Sequence, residues 1–252
     1  MTPNAPVIAK PGDVLSFVGA VGGAADKSIA WSATAGSVVN GTYTVPTGVD
    51  YTQQTVTATS NADATKKASV PVSVTPTGVL DVSGPWKDAY GYAMNFYQDG
   101  TTLSGDWYYG STRYLVSGTV SGYTLSGSMK NASTGAVGYT FTNLTISPDS
   151  KTISGTMSGW GQVTWTRQPG VIIQVTPNAP VIAKPGDVLS FVGAVGGAAD
   201  KSITWSATAG SVVNGTYTVP MGVDYTQQTV TATSNADATK KASVPVSVTP
   251  TG

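Results

Sequence analysis

The sequence predicts an all-β protein, and three observations carry that prediction. The first is composition: Thr, Val, Ser, Gly and Tyr dominate, all 13 acidic residues are aspartate, and arginine occurs only at Arg113 and Arg167. The long side chains that dress helix surfaces are scarce, and strand formers are abundant. The second is rhythm: short alternating runs are bounded by Gly, Pro, Asn or Asp at intervals of roughly 8–12 residues. The third is a repeat. Residues 2–78 and 176–252 align without a gap and differ only at Ala30/Thr204 and Thr47/Met221. The plan is therefore A–B–A, with domains at 2–78, 79–175 and 176–252. Each is near the small end of what buries an adequate core, and no cysteine is present to staple it.

The elements of A follow in order. Lys10-Pro11-Gly12-Asp13 is a turn before the alternating run 14–18, and Gly22-Gly23 bends the chain toward 28–33. Asn40-Gly41 between β-formers is a hairpin signal. Runs 54–60 and 68–74, joined through Asn61-Ala62-Asp63, complete a set of about seven strands. That number of short strands predicts a Greek-key sandwich, with Trp31 and its counterpart Trp205 on the third strand as structural core.

Three phrases are more specific: Trp31-Ser32-Ala33-Thr34-Ala35-Gly36, Gly41-Thr42-Tyr43-Thr44-Val45-Pro46 and Thr55-Val56-Thr57-Ala58-Thr59-Ser60. They resemble the bacterial Ig-like repeats of secreted and cell-surface proteins, over nearly the whole of both copies. The resemblance implies Ig-like sandwiches that serve as spacers, stalks or adhesive modules, located outside the cell or at its surface. It implies no activity. Asp13, Asp26, Asp50 and Asp63 fall singly on turns, whereas calcium wants about six to eight clustered oxygens, so they are expected to be turn formers.

B has a different texture. It holds 14 of the 22 aromatics, among them Trp86, Trp107, Trp160 and Trp165. Leu103-Ser104-Gly105-Asp106-Trp107 sets a phrase, apolar-Ser-Gly-x-apolar, that returns at 116–120, 125–129 and 153–157. Its apolar ends and central glycine share one face of a strand, and glycine there allows close approach. Tight turns at Asp99-Gly100, Ser121-Gly122 and Pro148-Asp149 separate the runs. The reading is an antiparallel up-and-down β-barrel of about eight strands.

Gly84-Pro85-Trp86 opens B, and Arg167 lies two residues past Trp165 on its last strand. A Gly-x-Trp on the first strand with a late basic residue is similar to the calycin pattern of lipocalins and avidins. The resemblance implies that Arg167 caps the ring of Trp86 at the closed end, so that both are structural. Pro85 departs from the pattern, because proline removes a strand donor where the chain enters the barrel. Two uses remain open for the other rings. They fill the interior of a small barrel, or Trp107, Tyr109 and Trp160 stack a carbohydrate or small apolar ligand. Tyr90, Tyr92 and Tyr97 are expected to pack the first two strands.

Function classes are bounded by what is missing. Histidine and cysteine are absent, which removes the usual general base, the usual nucleophile partner and the usual zinc ligands. A carboxylate pair remains conceivable, with Asp88 and Asp106 as neighbours across strands. The expectation is no enzyme, no cofactor and no metal. Net charge is zero, so nothing steers the chain to nucleic acid or anionic lipid, and no run is long enough to span a membrane. Met1-Thr2-Pro3 has no signal-peptide features, and Met1 stands where Val175 stands before the second copy. The sequence reads as a stretch of a longer secreted chain in which A and B alternate. Expected partners are a glycan, a small apolar ligand or a surface protein through B. Self-association by strand pairing is a further option, with Ala242–Val248 as donor.

Overall fold

A computed structural model describes residues 1–49, 52–75, 77–223 and 225–249. Among them the regular elements are all strands. The first seven are β1 (Val7–Ala9), β2 (Val14–Ser16), β3 (Ile29–Ala33), β4 (Ser37–Val39), β5 (Thr42–Thr44), β6 (Thr52–Ser60) and β7 (Lys67–Val74). They form two sheets, ordered β1-β7-β6-β3 and β2-β5-β4, with β1 parallel to β7 and the other pairs antiparallel. Strand β3 leaves the sheet of its sequence neighbours β2 and β4, which is the Greek-key crossing of an Ig-like sandwich.

Local sequence explains the pieces. Asn40 and Gly41 take φ of 48° and 81°, the primed turn that the Asn-Gly pair favours between β4 and β5. Gly41 has a second reason to be glycine, since a Cβ there would lie 2.2 Å from the Phe17 carbonyl oxygen. On β6 and β7, Val56, Val70, Val72 and Val74 point inward at strand period and are buried. The fully buried aromatic is Tyr43, whose hydroxyl donates to Ala35 O at 2.9 Å. Trp31 is half-buried and packs on the margin of that core, and Trp205 repeats the position in the second copy.

The central strands are β8 (Gly84–Asp88), β9 (Ala93–Asp99), β10 (Thr102–Tyr109), β11 (Thr112–Ser121), β12 (Thr124–Asn131), β13 (Val137–Ile146), β14 (Thr152–Ser158) and β15 (Gly161–Arg167). Each pairs antiparallel with the next, and β15 closes on β8 through Trp165↔Asp88, Thr166↔Lys87 and Arg167↔Trp86. The result is a closed eight-stranded barrel. Its interior is filled by Trp86, Phe96, Trp107, Phe141, Trp165 and aliphatic neighbours. The Ser-Gly phrase makes that filling possible. A Cβ on Gly105 would meet the Phe96 ring at 2.9 Å, one on Gly127 the Phe141 ring at 2.9 Å, and one on Gly155 the Leu144 side chain at 2.8 Å. Missing side chains midway along the strands thus leave room for large ones from their neighbours.

The last nine strands are β16 (Ile172–Thr176), β17 (Val181–Ala183), β18 (Val188–Ser190), β19 (Val192–Gly196), β20 (Ile203–Ala207), β21 (Ser211–Val213), β22 (Thr216–Thr218), β23 (Gln227–Ser234) and β24 (Lys241–Val248). Sheets β17-β24-β23-β20 and β18-β22-β21 repeat the first sandwich, and β16 adds an antiparallel partner to β19. Val175 is 3% exposed within the second sandwich's core. The repeat places Ile172–Val175 in the central stretch, but in the fold they complete the sandwich that follows. A repeat marks where two sequences coincide, which is not where a core ends. Strand β24, proposed from sequence as a donor, lies between β17 and β23 and is not an edge. Donating it would open the sandwich.

Candidate functional site

An up-and-down barrel sends alternate turns to opposite ends, and here the two ends differ in kind. One end gathers the chain's entrance (79–83), its exit (168–171) and the β9–β10, β11–β12 and β13–β14 turns. Both sandwiches are joined there. Tyr123, beside the β11–β12 turn, donates its hydroxyl to Val7 O at 2.8 Å, and Ser73 Oγ donates to Pro148 O at 2.5 Å. On the other side Lys201 Nζ lies 3.0 Å from Asp81 Oδ2 and 2.7 Å from Ser83 Oγ. Backbones meet directly beside it, since a Cβ on Gly196 would lie 2.8 Å from both Gly84 N and Phe96 O.

Trp86 and Arg167 belong to this joined end. The guanidinium carbon of Arg167 is 5.4 Å from the Trp86 ring centroid, and the Trp86 indole donates to Val82 O at 2.8 Å. Arg167 Nη2 also donates to Asp81 O and Ser83 O, at 2.9 and 2.5 Å. Burial pushes the Arg167 pKa down, against the pull of Asp81. The guanidinium therefore ties the first strand to the last and orders the segment leading in from the first sandwich. Arg167 Nε and Thr75 Oγ1 are buried without a partner among the described residues, and both side chains line a cavity of about 50 Å³ at this joint. A cavity that size with polar walls suits water.

The opposite end carries the turns β8–β9, β10–β11, β12–β13 and β14–β15 and no joint. Here Trp107, Tyr109 and Trp160 come together. Trp107 stacks on Tyr109 with centroids 5.6 Å apart, and Trp160 stands edge-on to both, at 5.4 and 5.1 Å. Tyr139 and Tyr114 contact Trp107, Tyr92 contacts Tyr109, and Tyr90 contacts Trp160. Burial divides them. Trp107 is 1% exposed, a floor whose indole donates to Asp88 Oδ2 at 3.3 Å, while Tyr109 and Tyr90 are 40% and 73% exposed. Trp160 is half-buried in the β14–β15 turn. The cavity below these rings is about 20 Å³, far short of the several hundred that enclose a small ligand. Rings fill the mouth as a plug, so a ligand meets only its outer surface.

One tyrosine and two aspartates depart from the sequence expectations. Tyr97 packs, at 6% exposed, and Tyr92 is half-buried, but Tyr90 sits in the β8–β9 turn and is solvent-facing. Asp88 and Asp106 are not neighbours across strands, because β9 runs between β8 and β10. Asp88 lies on the inner face with Trp107, and Asp106 lies on the outer face, paired with Arg113 at 2.6 Å. Alternation along β10 puts Asp106 and Trp107 on opposite sides of the wall. Turn aspartates are occupied locally: Asp13 accepts from Lys10 N, and Asp26 and Asp63 accept from Ser28 and Thr65. Those hydrogen bonds hold the Asp26 and Asp63 pKa values below the ordinary value. Asp50 lies outside the described residues.

Sequence reasoning missed Tyr92, Tyr114 and Tyr139 as members of the aromatic end. The signal was present but needed strand direction. Each stands close to a turn on the Trp160 side of the barrel, which shows only once the hairpins are counted.

No protein-family model matches the chain, and no curated protein matches it. Solved structures do. The protocadherin gammaB4 extracellular domain is similar at 13% identity and a TM-score of 0.24, over 99% of this chain and 48% of that one. Invasin, a bacterial integrin-binding protein, is similar at 16% identity and a TM-score of 0.24, over 98% of this chain and 58% of that one. Immunoglobulin domains 1–5 of sidekick-1 are similar at 15% identity and a TM-score of 0.24, over 98% and 58%. The chain spans about half the length of these structures. Likeness at that level carries no functional information.

Proposed function

We propose that the chain is a non-catalytic structural and adhesive segment of an extracellular or cell-surface protein. In this reading the two Ig-like sandwiches are spacers, and they hold a lipocalin- or avidin-like barrel by its Trp86–Arg167 end. The carrying observation is the division of the barrel's turns: both joints fall at one end and the ring cluster at the other. A module held this way presents its aromatic end outward. The separation of Asp88 from Asp106 by the barrel wall supports the non-catalytic part. Small-angle scattering of the whole chain tests the arrangement. The expected profile is one with both sandwiches clear of the aromatic end; a compact particle with a sandwich folded over that end overturns it.

A second reading rests on the exposed rings. Tyr109, Tyr90 and the free edge of Trp160 offer flat apolar faces beside phenol hydroxyls, a chemistry suited to stacking sugar rings. The predicted ligand is then a surface-bound glycan, since the interior is closed. Titration against glycans, with Tyr109→Ala and Trp160→Ala beside the native chain, separates the two. Saturable binding lost in both variants makes the barrel a receptor on a stalk, and a flat response leaves the spacer reading.

A further inference from the structure

The barrel and the sandwiches are closed in opposite ways, and the difference tells when the chain is pulled through its two sandwiches. In each sandwich an early strand runs parallel to the last one. Val7–Ala9 lies along Val72–Val74 in the first copy, and Val181–Ala183 along Val246–Val248 in the second. Tension draws Val7 and Val74 toward opposite ends of one ladder, in line with the strands. The rungs share that pull and must slide together. One more bond extends each ladder, from Thr75 N to Ala9 O and from Thr249 N to Ala183 O, both at 2.9 Å.

In the barrel the first strand is antiparallel to the last, and the chain enters and leaves at the same end. Tension draws Gly84 and Arg167 apart across the ladder, so its rungs break in turn, starting from Arg167↔Trp86. Both closing ladders hold three residue pairs, so the contrast lies in geometry and not in number. The outer end of the barrel seam is also short of a bond. An antiparallel residue turns its N–H and C=O to the same neighbour. Pro85 O accepts from Gln168 N at 2.8 Å, but proline has no N–H to return. Side chains hold this corner instead. Arg167 Nη2 donates to Asp81 O and Ser83 O, and Lys201 of the second sandwich reaches Asp81 Oδ2 and Ser83 Oγ.

We propose that the barrel is the yielding element of the chain. Under tension β8 parts from β15 first, the opened barrel unwinds strand by strand, and both sandwiches stay folded. The corner at 81–83 is the latch that sets the force at which this begins. Opening releases a reserve of about 300 Å, for about 84 residues from Gly84 to Arg167 at about 3.6 Å each. Relaxation restores it, because every barrel pair except β8–β15 joins neighbours in sequence, whereas β1 must find β7 across a whole sandwich. The proposal rests on the reading of the sandwiches as spacers that transmit tension. The order of yielding belongs to the folded chain, so it can fail while the scattering test of that reading succeeds.

The test stretches the whole chain by its two ends in optical tweezers. The first event should lengthen it by about 300 Å, and two events at higher force by about 245 Å each, for about 68 residues between the parallel strands of a sandwich. A short step from β16, which peels antiparallel from β19, is separate from both kinds. Relaxing after the long event and stretching again should recover it. The chain has no cysteine, so Lys87→Cys with Thr166→Cys, exposed partners on facing strands, gives one disulfide across the seam. Oxidised, with the bridge confirmed by loss of free thiol, this variant should lose the long event and keep the other two. Reduced, it should behave as the native chain. Lys201→Met should lower the force of the long event alone, and an unchanged force overturns the latch. A sandwich event that precedes the long event in the native chain overturns the proposal, and so does a long event that survives oxidation.

Discussion

The two sandwiches share all but two residues and keep different company, and the contrast separates what a sequence encodes locally from what its surroundings supply. Their interiors are the same: Tyr43 and Tyr217, Val56 and Val230, Val72 and Val246 are all at 0% exposure. Their edges are not. The second copy has β16 on its flank and the start of the barrel against Gly196, while Gly22, the counterpart of Gly196, is exposed with nothing near it. A core is therefore a property of the repeat, and an edge is a property of the neighbours. That distinction can be broken by substitution.

The largest effect is expected at the glycine where β19 meets the barrel. Gly196 has an ordinary backbone conformation, so alanine is locally allowed, but the added methyl would sit 2.8 Å from Gly84 N and Phe96 O. Backbone atoms cannot move aside as a side-chain tip does. Gly196→Ala should cost about 2 kcal/mol, while Gly22→Ala, the same change in the same sequence, should stay within about 0.5 kcal/mol. Calorimetry of the two variants reads the difference. Equal losses would mean that the joint adds nothing to the second sandwich.

A smaller effect is expected where the first sandwich meets the barrel, because that joint is polar. Tyr123 donates to Val7 O, lies 3.2 Å from Ser73 Oγ, and has no counterpart at the other joint. Tyr123→Phe should cost about 1 kcal/mol, confined to the first sandwich and its seat on the barrel. Burial raises the Tyr123 pKa above the ordinary phenol value of 10.0, with the Ser73 hydrogen bond opposing. The sign follows: a phenol whose folded pKa is raised lends stability that is whole below pH 10.0 and lost as pH climbs through the folded value. The native chain should thus loosen at this joint in alkali. Urea unfolding on either side of pH 10.0 should show a smaller drop in Tyr123→Phe than in the native chain.

Legibility in the sequence followed the same division. Period-two runs, the Asn40-Gly41 turn and the glycine phrases of the barrel are local signals, and the strands stand where those signals are. The approach of Arg167 to Trp86 was implied by the resemblance to lipocalins and avidins, and β15 pairing with β8 sets the two residues side by side. What was not readable depended on assembly. Tyr90 reads as a packing residue until the β8–β9 turn carries it into solvent. Asp88 and Asp106 look adjacent until β9 intervenes. Ile172–Val175 look like the tail of the barrel because the repeat begins after them, yet their branched side chains close the next sandwich.

The smallest effect carries the sharpest question, which is whether the two substituted positions cause the difference between the copies. Thr204 Oγ1 donates to Asn235 Oδ1 at 2.7 Å, a bond Ala30 cannot make, and Met221 is 78% exposed. Neither touches the β16–β19 ladder, whose residues are 172–176 and 192–196. Thr204→Ala should cost about 0.5–1 kcal/mol for one exposed hydrogen bond, and Met221→Thr should change stability by less than about 0.5 kcal/mol. The double variant makes the copies identical in sequence. If context sets the edge, its amides at 192–196 should exchange with solvent as slowly as in the native chain and more slowly than those at 18–22, read by NMR. Loss of that protection would place the cause in Thr204 or Met221. Its persistence would mean that the protection comes from β16 lying along β19 and not from the two substituted residues.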